Sequence, residues 1–420
     1  MTRHIGASNE LVLMGAGAKE VGESSEQMSV KLNTDRTEIS GFVHLDMARG
    51  LAALAVLLGH LRSFVFLSYG ELGSRGPIDT MVWLVTGFGH QAVTIFFVLS
   101  GFFITRSILT DDRGGEFSWP MYLIKRVTRL WIVLIPCLFL TLLCDKIGMT
   151  VAGNLFYEGE YFSIYNSGPS ATTGGTNLEI STLFENVVFL QTIISPIFGT
   201  NGPLWSLANE FWYYIMFPLL YIAITRRQRW LVVVANLTMF LLVCIFVGKY
   251  ITISFLMWMV GAFSYIIYAR GWLRNFLRTY ATLWVTLLVF FASLAVSKGN
   301  YGSEATKDFL IGFAASALVL VLAGCEVRSK LYIRVARLLA DGSYTMYLVH
   351  FPFMAMVVNI VLMNKKFDAS FSGYVVYVGF FLITAAYCYA IYWLFERHTA
   401  TVRRYCLGKY RLAIGGALKA

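Results

Sequence analysis

The stretch from Asp46 to His60 reads DMARGLAALAVLLGH, an apolar run with an arginine near one end and a histidine at the other. With the apolar residues that continue it to Leu67, the run is long enough to cross the roughly 30 Å of hydrocarbon in a bilayer. Ionisable side chains inside such a span cost free energy and are typical of functional sites. Arg49 and His60 are separated by about 16 Å of helical rise and about 20° of rotation past three full turns. The stretch therefore predicts a membrane helix that carries both side chains on one face.

The composition of the whole chain is also that of a membrane protein. Of its 420 residues, 57% are hydrophobic and 14% are charged, which is too apolar for an ordinary soluble domain. We predict an all-α, polytopic membrane bundle of about 10 transmembrane helices. The predicted spans are 43–67, 82–104, 127–147, 204–225, 230–248, 251–268, 280–297, 308–325, 343–363 and 374–395.

The distribution of positive charge predicts the orientation of the bundle. Roughly three quarters of the 34 Lys and Arg residues precede the first span, follow even-numbered spans or lie at the C-terminus. By the positive-inside rule both termini are then cytoplasmic. The net charge of +10 is explained by topology, so we expect no nucleic-acid partner.

The chain divides into one membrane domain and two terminal segments. Residues 1–40 are polar and lack the apolar core of a signal peptide, which predicts a disordered cytoplasmic tail. Residues 41–400 form the membrane domain, and 401–420 form a cytoplasmic C-terminal tail. One outward loop is long, about 148–203, and apolar residues at spacings of three and four over 180–190 predict a helix there. That helix could lie along the membrane surface or cap the bundle.

Two ionisable residues are predicted to lie at one depth near the outer side. The fourth span enters as GPLWSLANEFWYYIMFPLL, residues 202–220, which places Glu210 about 9 Å below the surface, close to the depth of His60. A histidine can act as a general base, and a carboxylate can orient it. We therefore predict His60 and Glu210 as a catalytic pair. His90 lies in the same layer, but within Gly-Phe-Gly-His, where we expect an irregular helix and a packing role.

A second group of ionisable residues is predicted on the cytoplasmic side. Arg106 and Arg129 end and begin neighbouring spans, and His350 lies about 10 Å from the start of the ninth. With Arg49 they could bind phosphates, because arginine forms bidentate hydrogen bonds with such groups. Arg126 is interpreted as a snorkelling residue at the interface.

The same residues are also compatible with a secondary transporter. Intramembrane His, Glu and Arg also build the proton relays of secondary transporters. A transporter more often shows two similar halves with interrupted helices, and we find no such symmetry. The pair Ser100-Gly101 predicts close helix packing. The spacing of Cys and His residues indicates no metal site and no disulfide framework.

Ordered motifs make the chain similar to a known family, the membrane-bound acyltransferase-3 family. The similarity extends from about Phe42 to Thr399. It includes an Arg and a His separated by ten residues, Arg49 and His60. The other matching segments are FFVLSGF at 96–102, KRVTRLW at 125–131, WSLANE at 205–210, SYTMYLVHFP at 343–352 and FERHT at 395–399. In the last, His398 stands where the family usually has proline.

The resemblance implies a function. Such enzymes move an acyl group, usually acetyl, from cytoplasmic acetyl-CoA to a hydroxyl of a glycan. It implies His60 and Glu210 as catalytic residues, and Arg49, Arg106, Arg129 and His350 on the side of the acyl-CoA donor. A thioester donor gives up its acyl group readily, so we expect no metal. The expected partners are acyl-CoA, membrane lipids and an acceptor such as exopolysaccharide, lipopolysaccharide or a lipid-linked oligosaccharide, and the expected location is the bacterial inner membrane.

Overall fold

A computed structural model describes residues 42–112, 117–165, 167–226, 229–277, 279–299, 302–363 and 365–417. The predicted N-terminal tail, 1–40, lies outside these ranges. The regular structure within them is helical, which confirms the predicted all-α class. The helices are α1 Phe42–Val65, α2 Pro77–Thr86, α3 Gly89–Asp112, α4 Trp119–Ala152, α5 Leu155–Glu158, α6 Phe162–Tyr165, α7 Ile180–Val187, α8 Leu204–Thr225, α9 Trp230–Ala269, α10 Arg274–Leu277, α11 Tyr280–Ser297, α12 Glu304–Gly324, α13 Lys330–Asp341, α14 Ser343–Leu362, α15 Phe371–Leu394 and α16 Thr399–Ala417.

By length and composition, nine continuous helical stretches within the described ranges could cross a membrane. The longest single helix, α9, is a hairpin. Gly248 at its middle has φ 79° and ψ 175°, a conformation that glycine adopts readily. The rings of Phe240 and Phe255 are 6.1 Å apart, whereas a straight helix would separate these residues by about 22 Å. The chain therefore reverses at Gly248, and the two halves of α9 correspond to the fifth and sixth predicted spans.

The second predicted span is interrupted where its sequence indicated an irregular helix. Gly87 and Phe88 separate α2 from α3, so His90 lies in the first turn of α3. The prediction of an irregular helix within Gly-Phe-Gly-His is confirmed.

Two glycines allow α3 and α9 to pack closely. A Cβ atom on Gly101 would lie 2.2 Å from the carbonyl oxygen of Trp258, and one on Gly261 would lie 2.0 Å from that of Val98. Backbone therefore contacts backbone at this crossing, as small residues permit in membrane bundles. The predicted packing role of Gly101 is confirmed, and the close approach fixes the neighbouring Ser100 against α9.

The long loop is attached to the bundle by buried polar contacts. The Asp145 carboxylate of α4 accepts hydrogen bonds from the backbone N–H of Thr200 at 2.8 Å and from its hydroxyl at 2.7 Å. Asn201 donates to the carbonyl oxygen of Leu348 at 2.9 Å. These bonds hold the end of the loop beside α14, close to the site described below.

The helix predicted within the loop is present as α7, and it has two different faces. Leu183 and Asn186 are buried, whereas Ile180 and Phe184 remain 69% and 63% exposed. One face therefore caps the bundle, while the other presents apolar side chains outward. At the other end of the chain, most of the predicted tail 401–420 belongs to α16, which packs against α4.

Candidate active site

Arg49 and His60 both face the interior of the bundle from α1, but they line different cavities. We call the first the arginine cavity; its empty volume is about 850 Å³. Its polar lining consists of Arg49, Ser100, Arg126, Arg129, Ser206, Glu210, Ser343, Tyr214, Tyr344 and Tyr347. Three guanidinium groups face one carboxylate there, so the cavity is suited to an anionic ligand.

Hydrogen bonds and an ion pair hold the arginines in place. Arg49 forms a 3.1 Å ion pair with Asp46 one turn earlier and donates to the carbonyl oxygen of Ala340 at 3.4 Å. Arg126 donates to the Ser107 hydroxyl at 2.5 Å. The Nε atoms of both arginines are buried and have no partner among the described residues. Each guanidinium therefore retains a donor, and a buried donor without an acceptor costs free energy unless a ligand supplies one.

Glu210 belongs to the arginine cavity and has its own partners. Its Oε1 accepts hydrogen bonds from the Ser100 hydroxyl at 3.2 Å and from the Tyr214 hydroxyl. Ser100 in turn accepts from the indole N–H of Trp258 at 3.1 Å, and Arg129 lies within electrostatic reach of the carboxylate. The chain of contacts joins α8, α3 and α9. The expectation that Glu210 orients the His60 imidazole disagrees with this geometry, because Glu210 contacts Ser100 and lines a cavity whose lining does not include His60.

His60 lines a second and larger cavity, which we call the histidine cavity. Its volume is about 1710 Å³, counted to its open mouth. Its polar and aromatic lining includes His60, Arg62, Ser63, Tyr69, Trp83, His90, Tyr165, Ser167, Trp205, Tyr347 and Lys366. The imidazole therefore has access to a space that can hold a sizeable ligand.

The contacts of His60 leave one ring nitrogen for a substrate. Its Nδ1 lies 3.3 Å from the Ser167 hydroxyl, and the edge of its ring meets Phe351 at 5.0 Å between centroids. If Nδ1–H donates to Ser167, Nε2 carries the lone pair that a general base needs. Ser167 therefore occupies the orienting position that we expected Glu210 to fill.

His350 is beside His60 and is not part of the arginine cavity. The two imidazole centroids are 5.5 Å apart. Nδ1 of His350 donates within its own helix to the carbonyl oxygens of Met346 and Tyr347, at 2.8 and 3.0 Å, while Nε2 is buried without a partner in the described ranges. The expectation that His350 lies in the cytoplasmic layer with the arginines disagrees with this geometry, because its ring packs beside that of His60.

The two cavities meet at two residues. Val93 and Tyr347 line both, and the Tyr347 hydroxyl is 2.7 Å from the Ser206 hydroxyl. A ligand that spans both cavities would have to pass these two side chains. About 16 Å of α1 separates Arg49 from His60, so the ligand must be extended.

Two further predicted residues have other surroundings. The Arg106 guanidinium lies over the ring of Phe42, 4.4 Å from its centroid, and Arg106 does not line the arginine cavity. His90 lines the histidine cavity and forms a 3.0 Å contact with Asp308. That ion pair satisfies the ring nitrogen and supports the packing role.

Several residues at the site were missed by sequence reasoning. Arg126 was interpreted as a snorkelling residue but lines the cavity beside Arg129. Tyr347 and Ser167 carry no charge, so the cost of burying a charge did not mark them as functional.

Glu396 lies in the FERHT motif. Its Oε2 accepts hydrogen bonds from the backbone and hydroxyl of Thr345 at 3.0 and 2.6 Å, within electrostatic reach of Arg129 and Arg49. The motif was the one signal that could have found it.

Comparison with known proteins shows the family of this chain. The family profile named Acyl_transf_3, described as an acyltransferase domain, matches residues 42–395. An O-acetyl transferase of Shigella phage Sf6 is 25% identical over 331 residues, which cover 76% of this chain and 86% of that protein. Nodulation protein 10 of Rhizobium leguminosarum bv. viciae is 25% identical over 194 residues, 44% of this chain and 46% of that protein. No solved structure matches the chain. The family profile covers the helices that build both cavities, and the chain therefore belongs to the acyltransferase-3 family of multi-pass membrane proteins.

Proposed function

We propose that this membrane acyltransferase moves an acetyl or other short acyl group from acyl-CoA to a hydroxyl of a cell-surface or exported glycan. One observation carries the proposal: a cavity with three arginines and a cavity with a histidine meet inside the bundle at Val93 and Tyr347. The printed name of the phage relative, O-acetyl transferase, supports the choice of acetyl and of an oxygen acceptor. A bacterial inner membrane, with the arginine cavity facing the cytoplasm, fits the charge distribution.

The arginine cavity is the proposed donor site. Arg49, Arg126 and Arg129 bind the phosphates of acyl-CoA, since their guanidinium groups match phosphate geometry. Glu210 and Tyr214 hold Ser100 and Arg129 in place at the same site. The pantetheine arm then extends past Tyr347, which brings the thioester carbonyl to His60.

The histidine cavity is the proposed site of the reaction. Nε2 of His60 takes the proton from an acceptor hydroxyl, and the oxygen forms a bond with the thioester carbonyl carbon. The carbon–sulfur bond breaks, and the CoA thiolate that leaves takes up the proton. Ser167 holds the imidazole in the tautomer that this step needs. His60 could also carry the acyl group transiently.

A transfer assay tests the function. Inside-out membrane vesicles from cells that make the protein are given acetyl-CoA labelled in the acetyl group, with vesicles from cells lacking the protein as the control. We expect label to become covalently attached to glycan in the first set only, released by mild base as an O-ester would be. Label that remains on CoA in both sets would contradict an acyltransferase, and label that crosses the membrane only when the protein is present would favour transport.

A further inference from the structure

The histidine cavity holds two cations that the proposed chemistry does not use. Arg62 follows His60 by two residues on α1, and Lys366 lies in the segment between α14 and α15; both line the cavity. Backbone hydrogen bonds of the next residue, Phe367, fix Lys366 beside the end of α1. The Leu67 N–H donates to the carbonyl oxygen of Phe367 at 3.0 Å, and the Phe367 N–H donates to the carbonyl oxygen of Val65 at 2.8 Å. The two cations are therefore part of one structured wall.

Neither cation forms an ion pair with a carboxylate in the described part of the chain. The Nε of Arg62 is buried and has no partner there, and its guanidinium lies 5.7 Å from the centroid of the Trp83 ring. The Lys366 ammonium donates to the carbonyl oxygen of Ile164 at 2.5 Å. The ammonium also lies over the ring of Tyr165, 5.2 Å from its centroid.

The surrounding carboxylates compensate these cations only in part. Of the carboxylates near the cavity, Asp308 pairs with His90 and Glu304 pairs with Lys307. Glu71 attracts Lys366 from a distance, while Arg62 repels it. Lys298 is also within electrostatic reach of Arg62. Unbalanced positive charge at a partly enclosed surface attracts anions.

Aromatic rings form the remainder of the wall beside these cations. Tyr69, Trp83 and Trp205 line the cavity with His60. Arg75, Arg62 and His90 lie against these rings, and the apolar ring surface that still lines the cavity suits the apolar face of a sugar. The cavity thus combines surfaces for a sugar with cations for a negative group.

We propose that the acceptor is an anionic glycan, and that Arg62 and Lys366 bind a carboxylate or phosphate on the sugar to be acylated or on its neighbour. This inference rests on the proposed function and specifies its acceptor. Arg62 and His60 line the same cavity, so an anion bound at Arg62 holds the rest of the sugar in the space that the imidazole faces. Both cations are positioning residues, and the neutral sugar surface packs on the aromatic rings.

The acceptor test uses the full-length protein in detergent, labelled acetyl-CoA and total glycan extracted from the host cells. The extract is separated by anion exchange into acidic and neutral fractions. Half of the acidic fraction is then treated to reduce carboxylates to alcohols, and half is treated with phosphatase. We expect label in the acidic fraction, and the treatment that abolishes labelling identifies the anion as carboxylate or phosphate.

Variants connect that selectivity to the two cations. Arg62→Gln with Lys366→Gln should raise the KM for the acidic fraction at least tenfold with little change in kcat, since each variant loses a charged hydrogen bond to the acceptor. The charge-retaining pair Arg62→Lys and Lys366→Arg should recover much of the affinity, which a merely structural role would not predict. Lys365→Gln removes a neighbouring exposed lysine that does not line the cavity, and it should leave KM unchanged.

Two results would overturn the inference while leaving the enzyme an acyltransferase. One is equal labelling of the neutral and acidic fractions by the unmodified protein. The other is an unchanged KM in the Arg62→Gln, Lys366→Gln protein. Label in neither fraction would instead contradict the proposed function, and the acceptor with it.

Discussion

Arg49 in α1 and Arg106 in α3 give different expectations for donor binding. Arg49 lines the arginine cavity, so Arg49→Ala should weaken acetyl-CoA binding about tenfold to a hundredfold, through the loss of charge-assisted hydrogen bonds worth about 1.5–3 kcal/mol. Arg106 lies over Phe42 outside the cavity, so Arg106→Ala should change the affinity less than twofold. The dissociation constant of acetyl-CoA, measured calorimetrically on both folded variants, distinguishes them. Equal losses would contradict the assignment of the cavity.

Lys366 predicts how acceptor binding depends on pH. Burial disfavours its ammonium and lowers its pKa to about 8, although the charge of Glu71 opposes this effect and that of Arg62 adds to it. The cation is therefore present below pH 8 and lost above it; at pH 9 about nine in ten of these lysines are neutral. We expect the KM for an acidic acceptor to rise several-fold between pH 7 and pH 9.

The matched variant for this pH effect is Lys366→Arg, because arginine stays protonated throughout that range. Its KM should remain nearly constant between pH 7 and pH 9. If the variant showed the same rise as the unmodified protein, the effect would come from another group, and Lys366 would have no part in acceptor binding.

At the scale of elements, the crossing of α3 and α9 supports the donor site. A Cβ on Gly261 would lie 2.0 Å from the Val98 carbonyl oxygen, so Gly261→Ala must separate the helices. Overpacking of this kind typically costs about 1–3 kcal/mol. Thermal unfolding in detergent should begin several degrees lower, with weaker acetyl-CoA binding as Ser100 moves away from Trp258. In the control variant Gly379→Ala in α15, the added Cβ meets open space, so the midpoint of thermal unfolding should be unchanged. Equal destabilisation by Gly261→Ala and Gly379→Ala would contradict the role of close packing between α3 and α9.

The helices themselves could be predicted, but not the way in which they face one another. Length and apolar composition determine which segments cross the membrane, and helical rise determines depth, so Arg49 and His60 were correctly separated along α1. Depth does not determine rotation or tilt, which are set by packing. Glu210 was therefore predicted beside His60, but it faces Ser100. His350 was predicted among the arginines, but it lies beside His60. Arg126 illustrates the same limit, because an arginine that snorkels to the membrane interface and an arginine that lines a cavity have the same pattern in the sequence.

At the scale of the whole molecule, the reversal at Gly248 decides the topology. With the reversal, five membrane crossings lie between Arg226 and Lys365; if α9 were one continuous crossing there would be four. Alkaline phosphatase, which needs an oxidising compartment for its disulfides, should be inactive when fused after Arg226 and active when fused after Lys365. The same activity in both fusions would contradict the hairpin. Activity after Arg226 only would reverse the predicted orientation, in which both termini are cytoplasmic.

At the scale of the whole molecule, the proposed activity also depends on an acyl group that crosses from the arginine cavity to the histidine cavity and reacts there. His60→Ala tests this most directly, in a single-turnover assay of labelled acetyl transfer by protein whose acetyl-CoA binding and thermal unfolding are first shown to be normal. We predict that the rate of transfer falls by about 10²–10⁴-fold, the usual contribution of a general base, while donor binding stays within twofold of the unmodified protein. Transfer at a near-normal rate in the folded, donor-bound variant would contradict the role of His60 and the path proposed between the two cavities.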